Sequence, residues 1–249
     1  MYNTSARRTN TSAAGPRRSA LESAGARARP GPGRGADQMT APPDIDGCTG
    51  VLLAGGRAER LGGIPKGLLA VAGEAIAARS VRLFRGLFGA ALVVANDPAP
   101  YAALGVPVVA DLVRGKGAPG GLHAALSAAS TDWVFAAACD MPFLSREPIV
   151  ALAALRAGAD AVLVRAGGRL EPLHAFWSRA CLPVLDRMVR SGDPSLRDLA
   201  AAVRTRVVEE AEWRTLDPAG RSLENANTPE DLLRLGLSAD LPARGRGPV

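Results

Sequence analysis

From Val51 onward, short apolar runs alternate along the chain with amphipathic stretches. Apolar runs bounded by turn residues are typical of buried strands, and apolar residues spaced by three and four are typical of helices. The pattern predicts strands at residues 51–53, 92–95, 106–109, 133–137, 161–164 and 172–177. It predicts helices at residues 75–87, 122–129, 146–157, 181–189 and 196–203. This alternation indicates an α/β fold with a mostly parallel central sheet and helices on both faces.

A glycine-rich loop with three cations, Arg57, Arg60 and Lys66, follows the first predicted strand. Glycines let backbone amides approach a ligand closely, and the cations supply positive charge. The loop is therefore a candidate phosphate site, with the backbone contributed by Leu53, Ala54, Gly55 and Gly56. A solvated turn is the alternative explanation for the same residues.

Polar residues follow several other predicted strands, where ligands of parallel α/β sheets bind. They are Asn96, Asp97, Asp111 and Asp140. Asp140 comes directly after the apolar run 133–139 and precedes a turn. Mg²⁺ takes one or two protein carboxylates plus substrate phosphates, so Asp140 is the candidate metal ligand. A helix cap or turn role would also explain a carboxylate there.

Two later loops add candidates. Residues 114–121 combine glycines with cations before a predicted helix, which offers backbone amides to a base or phosphate, although a mobile loop has the same composition. Thr228 and Pro229 are a helix N-cap and first-turn pair. The cap does not explain Asn225 and Asn227, which would face the same side if they lay on a strand.

The two histidines are weaker candidates. His174 lies within an apolar run and is expected to be buried and hydrogen-bonded rather than catalytic. His123 lies at the start of a predicted helix, nearer a possible ligand, but no partner for it is evident in the sequence.

Charge and cysteine content exclude several classes of protein. The net charge is +6, but residues 1–38 hold seven arginines against two acidic residues, so the rest of the chain is almost neutral. No general polyanion-binding surface is therefore expected, and nucleic acid is not a predicted partner. Three widely separated cysteines suggest no disulfide framework, and no apolar run is long enough to span a membrane. We expect a cytoplasmic protein.

The basic first 47 residues contain few large apolar side chains, so disorder is expected there. A single domain is predicted over residues 48–237, with a flexible tail over residues 238–249. Met39, just before the first strand, is a candidate natural start. Tryptic peptides from residues 1–38 of the natively expressed protein would exclude that start.

Other nucleotide-binding patterns do not fit the glycine loop. A Walker P-loop needs Ser or Thr after its lysine, and here Gly67 follows Lys66. The loop lacks the G-x-G-x-x-G dinucleotide fingerprint, and the chain shows neither a nucleophile elbow nor a histidine metal cluster. A metal-assisted nucleotide chemistry, with a triphosphate held by the loop, remains.

Three motifs resemble those of the MobA-like nucleotidyltransferases. They are Leu53-Ala54-Gly55-Gly56-x-x-x-Arg60-Leu61-Gly62 with Pro65-Lys66-Gly67, then Cys139-Asp140-Met141-Pro142-Phe143, then Asn225-Ala226-Asn227-Thr228-Pro229-Glu230-Asp231. The resemblance covers about residues 48–236 and implies a Rossmann-like three-layer sandwich of the nucleotidyltransferase type. Two positions depart from the family pattern. Pro65 stands where Asp is common, and Ala118-Pro119-Gly120-Gly121 replaces a Pro-Leu-Ala-Gly loop.

The resemblance implies transfer of GMP from GTP to the terminal phosphate of a molybdopterin-type cofactor, with release of pyrophosphate. Arg60 and Lys66 would then neutralise the triphosphate, Asp140 would hold Mg²⁺, and Asn96 and Asp111 would contact the nucleotide. Asn225 and Asn227 would hold the metal or the second substrate. Molybdenum-insertion proteins and acceptor molybdoenzymes are further implied partners.

Three other functions fit the sequence. A relative on the same fold could use CTP or a sugar-phosphate acceptor, and a preference among nucleotides would separate these. A non-catalytic nucleotide-binding module would release no pyrophosphate. The third is a nucleic-acid-binding protein, which would depend on the basic N-terminal segment. DNA affinity that vanished when residues 1–38 were deleted would show that this binding is merely electrostatic.

Overall fold

A computed structural model describes residues 44–55 and 65–238. Within these residues, the strands of the central sheet are β1 Cys48–Leu53, β4 Ala91–Val94, β5 Val108–Val109, β6 Trp133–Ala138, β7 Ala161–Ala166, β8 Arg169–Ser178 and β9 Thr205–Val208. These seven strands lie in the order β5-β4-β1-β6-β8-β7-β9. β1 pairs in parallel with both β4 and β6, so their carboxyl ends meet at one edge of the sheet.

One strand runs against the others. β8 pairs antiparallel with β6 on one side and with β7 on the other. β7 and β8 form a hairpin whose turn contains Gly167 and Gly168, both at positive φ, where glycine is favoured. The remaining pairs are parallel, including β4 with β5 and β7 with β9, so the predicted mostly parallel sheet is confirmed.

Helices cover both faces of the sheet because alternate strand residues point to opposite sides. In β1, Leu52 packs into one core with Phe84 and Ile149, while Val51 packs into a second core with Leu122. The first core receives α1 (Ile76–Phe88), α3 (Arg146–Ala153) and α6 (Glu210–Leu216). The second receives α2 (Gly117–Ala128), α4 (Leu182–Ser191) and α5 (Leu196–Ala202). The predicted three-layer arrangement is confirmed.

Some predicted boundaries were wrong. α2 begins five residues earlier than predicted, and α3 ends at Ala153 rather than at residue 157. The strand predicted at residues 106–109 is shortened to β5, because Pro107 precedes it and lacks the backbone donor that a ladder needs. Apolar periodicity sets the centre of an element, whereas local turn geometry sets its ends.

A small three-stranded antiparallel sheet, not predicted from the sequence, lies beside α7 (Pro229–Leu235). Its strands are β2 (Ala70–Val71), β3 (Glu74–Ala75) and β10 (Leu237–Ser238), in the order β10-β2-β3. Leu69, Ile76, Ala226, Leu235 and Leu237 form its core. Through the pairing of β2 with β10, the segment after Lys66 contacts the end of the described chain.

The described part of the chain contains no helix that is long and apolar enough to cross a membrane. Cys48, Cys139 and Cys181 are all buried and free, as expected for a chain without a disulfide framework.

His174 lies on β8 and is fully buried, packed edge-on against the rings of Phe135 and Trp213. Its burial was predicted, but the expected hydrogen bond was wrong. Neither ring nitrogen has a hydrogen-bond partner among the described residues, because strand alternation points the ring into an aromatic layer. Burial lowers the pKa of His174 to about 4.

This buried histidine should make the protein sensitive to mild acid. Its pKa is lower in the folded state than the ordinary 6.5, so the unfolded chain binds the extra proton between these values. Stability is therefore complete above about pH 6.5 and falls as the pH drops towards 4, by up to about 3 kcal/mol in the free energy of unfolding. Denaturant titrations at pH 7.5, 5.5 and 4.5 measure this loss. The variant His174→Leu should show a shallower pH dependence, and an unchanged slope would contradict the prediction.

Candidate active site

A cleft of about 740 Å³ opens at the carboxyl ends of β1, β4, β5 and β6. Its walls include most of the residues that sequence reasoning selected, together with several that it did not. The described lining residues include Leu53, Ala54, Gly55, Lys66, Asn96, Asp97, Tyr101, Asp111, Gly117, Gly121, Cys139 and Asp140. The rule that ligands bind beyond strand ends therefore located the cleft correctly.

Lys66, Asp140 and Asn227 form one polar cluster, in which Lys66 and Asp140 line the cleft and Asn227 bonds to Lys66 from outside that lining. The Lys66 ammonium Nζ donates to Asp140 Oδ2 at 3.0 Å and to Asn227 Oδ1 at 2.5 Å. The Lys66 and Asp140 side chains are 21% and 19% exposed, so solvent can reach the pair from one side. Three residues far apart in the sequence thus place two oxygen ligands around a single cation.

Separate local structures position each member of the cluster. Asp140 follows β6, where Cys139 N donates to Leu53 O at 3.1 Å. Lys66 begins a short 3-10 helix, Lys66–Leu68. Gly67 lies under the ring of Tyr101, and a Cβ at this position would lie 3.2 Å from Tyr101 Cε1. This close packing explains why glycine follows the lysine.

The two asparagines do not lie on a strand, so the condition for a same-side arrangement is not met. They lie in an irregular segment before α7, where Asn225 Nδ2 donates to Leu223 O at 3.0 Å. Of the two asparagine side chains, only that of Asn227 bonds to the Lys66 ammonium. Between them, Ala226 N donates to Asp140 O at 2.9 Å and fixes the segment against the cleft.

The predicted helix cap after these asparagines is confirmed. The Thr228 hydroxyl accepts from Asp231 N, and Asp231 accepts from Thr228 N, which forms a capping box at the start of α7. The same carboxylate accepts from Asn227 N at 2.9 Å. The cap therefore also holds the backbone of Asn227 in place.

Asn96 and Asp111 lie together across the ends of β4 and β5. Asn96 Nδ2 donates to Asp111 Oδ2 at 2.9 Å, and Asp111 N donates to Asn96 Oδ1 at 3.1 Å. Each side chain thus orients the other at the cleft wall. Asp97 accepts from Ala99 N at 3.0 Å and caps a local turn.

The loop over residues 114–121 was only partly a loop, because α2 begins inside it at Gly117. Helical glycines here allow close approach, since a Cβ on Gly121 would lie 3.4 Å from Leu53 Cδ2. Gly117 and Ala118, in the first turn of α2, line the cleft, so the positive end of the helix dipole lies beside that space.

Gly56, Arg57 and Arg60 lie outside the described residues, so their predicted roles stay predictions. Among the described lining residues, one ammonium, Lys66, stands against three carboxylates, those of Asp97, Asp111 and Asp140. This part of the wall would repel a polyphosphate unless a cation accompanied it.

The donor set at Asp140 fits a divalent cation. The described residues contain no group of three or more His, Cys, Asp or Glu side chains that could hold a metal alone. Mg²⁺, however, is usually bound through one or two carboxylates plus substrate phosphates. The Asp140 carboxylate and the Asn227 amide oxygen, which converge on Lys66, are oxygen ligands of the type that such a cation prefers.

Sequence reasoning missed Tyr101 and Cys139 as cleft residues. A scarce aromatic directly after two closely spaced prolines, Pro98 and Pro100, was a signal for Tyr101. Burial, followed by the neighbouring charge of Asp140, raises the pKa of Cys139 to about 12. Cys139 therefore stays a neutral thiol at physiological pH and is not a nucleophile.

His123 does have a partner, which the sequence did not reveal. Its Nε2 lies 3.0 Å from Asp186 Oδ1, which joins α2 to α4. Arg190 and then His123 hold the pKa of Asp186 below its usual range. His123 is buried and does not line the cleft, so its contact is structural.

The sequence over residues 50–208 matches the family described as the MobA-like NTP transferase domain. The chain belongs to this family. The match confirms the predicted family and the predicted enzyme class, a nucleotidyltransferase.

Relatives align with this MobA-like transferase over most of its length. A Pseudomonas putida protein named molybdenum cofactor guanylyltransferase is 34% identical over 194 residues, which is 77% of this chain and 98% of that protein. The solved structure of molybdopterin-guanine dinucleotide biosynthesis protein A from Archaeoglobus fulgidus is 25% identical, with a TM-score of 0.65. That match covers 75% of this chain and 96% of the archaeal one.

A more distant structure is Rv0371c from Mycobacterium tuberculosis, solved as a complex with manganese. It is 19% identical with a TM-score of 0.56, and the match covers 76% of this chain and 97% of that one. At this identity the likeness shows the fold alone. These neighbours confirm the predicted nucleotidyltransferase type of sandwich.

Proposed function

We propose that this MobA-like transferase moves the GMP part of GTP onto the terminal phosphate of a molybdopterin-type cofactor and releases pyrophosphate. The observation that carries the proposal is the cluster of Lys66, Asp140 and Asn227, at the strand ends where a triphosphate would lie. The names of relatives that align over nearly their whole length supply the substrates.

The nucleotide would lie along the end of β1. The backbone of Leu53, Ala54 and Gly55 lines the cleft. Ala54 N already donates to Val94 O at 2.9 Å, so Gly55, the next residue, would offer its amide to the nucleotide, with Gly56 and Arg60 as further predicted contacts. Asn96 and Asp111, which orient each other, would bind the base or ribose. The first turn of α2 adds positive potential on the same side.

Asp140 and Asn227 would hold Mg²⁺, the predicted cofactor. When bound, this cation supplies positive charge that polarises the α-phosphate and reduces the repulsion between the α-phosphate and an anionic nucleophile. The fit rests on the donor set and on the excess of carboxylates along the described wall. Lys66 would then neutralise charge on the triphosphate and on the leaving pyrophosphate.

The chemistry needs no general base. The attacking group is a phosphate oxygen of the acceptor, which is already ionised, so no proton has to be removed. A bond forms between this oxygen and the α-phosphorus of GTP, and the bond to the bridging oxygen of pyrophosphate breaks. The cleft residues accordingly bind charge and align the two phosphates, and Cys139, the buried thiol, takes no part.

The partners follow from the same proposal. GTP and the molybdopterin-type cofactor are the substrates, and molybdenum-insertion proteins and acceptor molybdoenzymes would supply the acceptor and take up the product. We place this activity in the cytoplasm.

The test is incubation of the full-length chain with Mg²⁺, molybdopterin-type cofactor and each of GTP, ATP, CTP and UTP, while released pyrophosphate is measured. Release with GTP that depends on the acceptor supports the proposal. A preference for CTP would reassign the nucleotide, and release with a sugar phosphate would reassign the acceptor. Nucleotide binding without any release would indicate a binding module instead.

Asp111→Ala should weaken GTP binding about tenfold, because the substitution removes a hydrogen-bonding group and frees the Asn96 side chain. Asn96→Ala should have a similar effect. The effect of the double variant should be smaller than the two single effects combined, because the residues act as one unit. Calorimetric titration with GTP measures all three variants, and fully additive effects would contradict a shared role.

A further inference from the structure

The Lys66 ammonium occupies the position between the two proposed metal ligands. Its Nζ lies 3.0 Å from Asp140 Oδ2 and 2.5 Å from Asn227 Oδ1. Those two oxygens are the side-chain atoms that the proposed function assigns to a divalent cation. A single ammonium therefore bonds to both of them.

Lys66 can leave this position without moving its backbone. Residues 66–68 form one short helical turn, with Gly67 packed under Tyr101 and Leu69 fully buried. These contacts fix the main chain at the cleft edge. The long side chain is 21% exposed and faces the cleft, so rotation of its own torsions can carry the ammonium towards a phosphate.

We infer that Lys66 acts as a resident counter-ion, which holds the metal ligands Asp140 and Asn227 until a nucleotide draws its ammonium away. The inference rests on the proposed function, and it adds that the nucleotide draws the Lys66 ammonium away before the metal takes its place. A divalent cation that approaches Asp140 without a nucleotide is repelled by the Lys66 ammonium, which lies at hydrogen-bond distance from the Asp140 carboxylate. A triphosphate offers Lys66 a stronger partner and brings oxygen ligands for the metal.

The consequence is that metal and nucleotide bind as a coupled pair. By linkage, GTP should raise the affinity for the metal by the same factor as the metal raises the affinity for GTP. Coupling alone does not prove the inference, because phosphate oxygens that ligate the metal also produce it. The distinguishing quantity is the affinity for the metal in the absence of any nucleotide.

The test measures Mn²⁺ binding to the full-length chain by the electron paramagnetic resonance signal of free Mn²⁺. Without a nucleotide, Lys66→Met should bind Mn²⁺ about tenfold more tightly than the wild type, because the competing charge is gone. Lys116→Met is the matched control. Lys116 Nζ donates to Gly192 O rather than to the cluster, so its removal should leave Mn²⁺ affinity unchanged. Asp140→Asn combined with Lys66→Met should lose the gain, which would place the Mn²⁺ at this carboxylate.

A Lys66→Met variant that binds Mn²⁺ no more tightly than the wild type, while circular dichroism shows an intact fold, would overturn the inference. Lys66→Gln serves as a second variant if Lys66→Met does not fold. Failure of the proposed function would look different. The wild type would then release no pyrophosphate from GTP in the presence of the acceptor, whatever its affinity for Mn²⁺.

Discussion

Asp140→Asn should lower the rate of pyrophosphate release by at least about 10³-fold while leaving the fold intact. The side chains are nearly the same size, so packing at the end of β6 is preserved. The backbone bond from Ala226 N to Asp140 O is also kept, because it does not involve the side chain. The variant lacks only the negative charge that balances Lys66 and would bind the metal. Single-turnover pyrophosphate release measures the loss, and thermal unfolding checks the fold.

Asp97→Asn is the matched control for this substitution. Asp97 lines the same cleft and also follows a strand, but its carboxylate accepts only from Ala99 N in a local turn among the described residues. An asparagine can make the same turn contact, so most of the activity should remain. If Asp140→Asn were as active as Asp97→Asn, the metal role of Asp140 would be wrong.

Gly50→Ala should destabilise the protein severely, although it lies far from any proposed chemistry. A Cβ at this position in β1 would lie 2.4 Å from Phe84 Cβ and 2.8 Å from Phe88 Cδ2. Both phenylalanines are buried in the core beneath α1, so neither can move aside without disturbing its neighbours. We expect a loss of roughly 3 kcal/mol or more in the free energy of unfolding, a large share of the stability of a typical domain.

Gly86→Ala provides the comparison for the packing argument. Gly86 lies on the exposed side of α1, where a Cβ would meet no atom within 4 Å. Alanine favours helix, so this variant should gain roughly 0.5–1 kcal/mol. Urea denaturation of both variants tests the pair. Equal stability of Gly50→Ala and the wild type would show that the contact between β1 and α1 can relax.

The main strands β1, β4, β6 and β7 could be predicted from the sequence because each contains an apolar run that is buried on both faces. The start of α2 could not, since Gly117 and Pro119 favour a turn on local grounds, while packing against β1 extends the helix through them. The small sheet was also missed. Its two-residue strands are too short to show any periodicity.

Part of the site followed from the rule that ligands bind at the carboxyl ends of strands. That rule correctly placed Asp140, Asn96 and Asp111 at one cleft. It could not reveal that Asn227 reaches Lys66, because these residues are 161 positions apart and Asn227 lies in a short irregular segment. The contacts of His123 with Asp186 and of His174 with the aromatic rings could not be predicted for a similar reason. A side chain's partner depends on tertiary packing rather than on the local sequence pattern.

The large separation between Lys66 and Asn227 also affects the order of events during synthesis. Most strands and helices of the two main cores precede residue 209, so they can form on the ribosome while the last described segment is still being made. Lys66 and Asp140 are then present, but Asn227 and β10, the partner strand of β2, are not. The nascent chain would therefore acquire its architecture before its active cluster. A truncated product that ends before residue 224 would keep the main sheet but lack the Asn227 ligand.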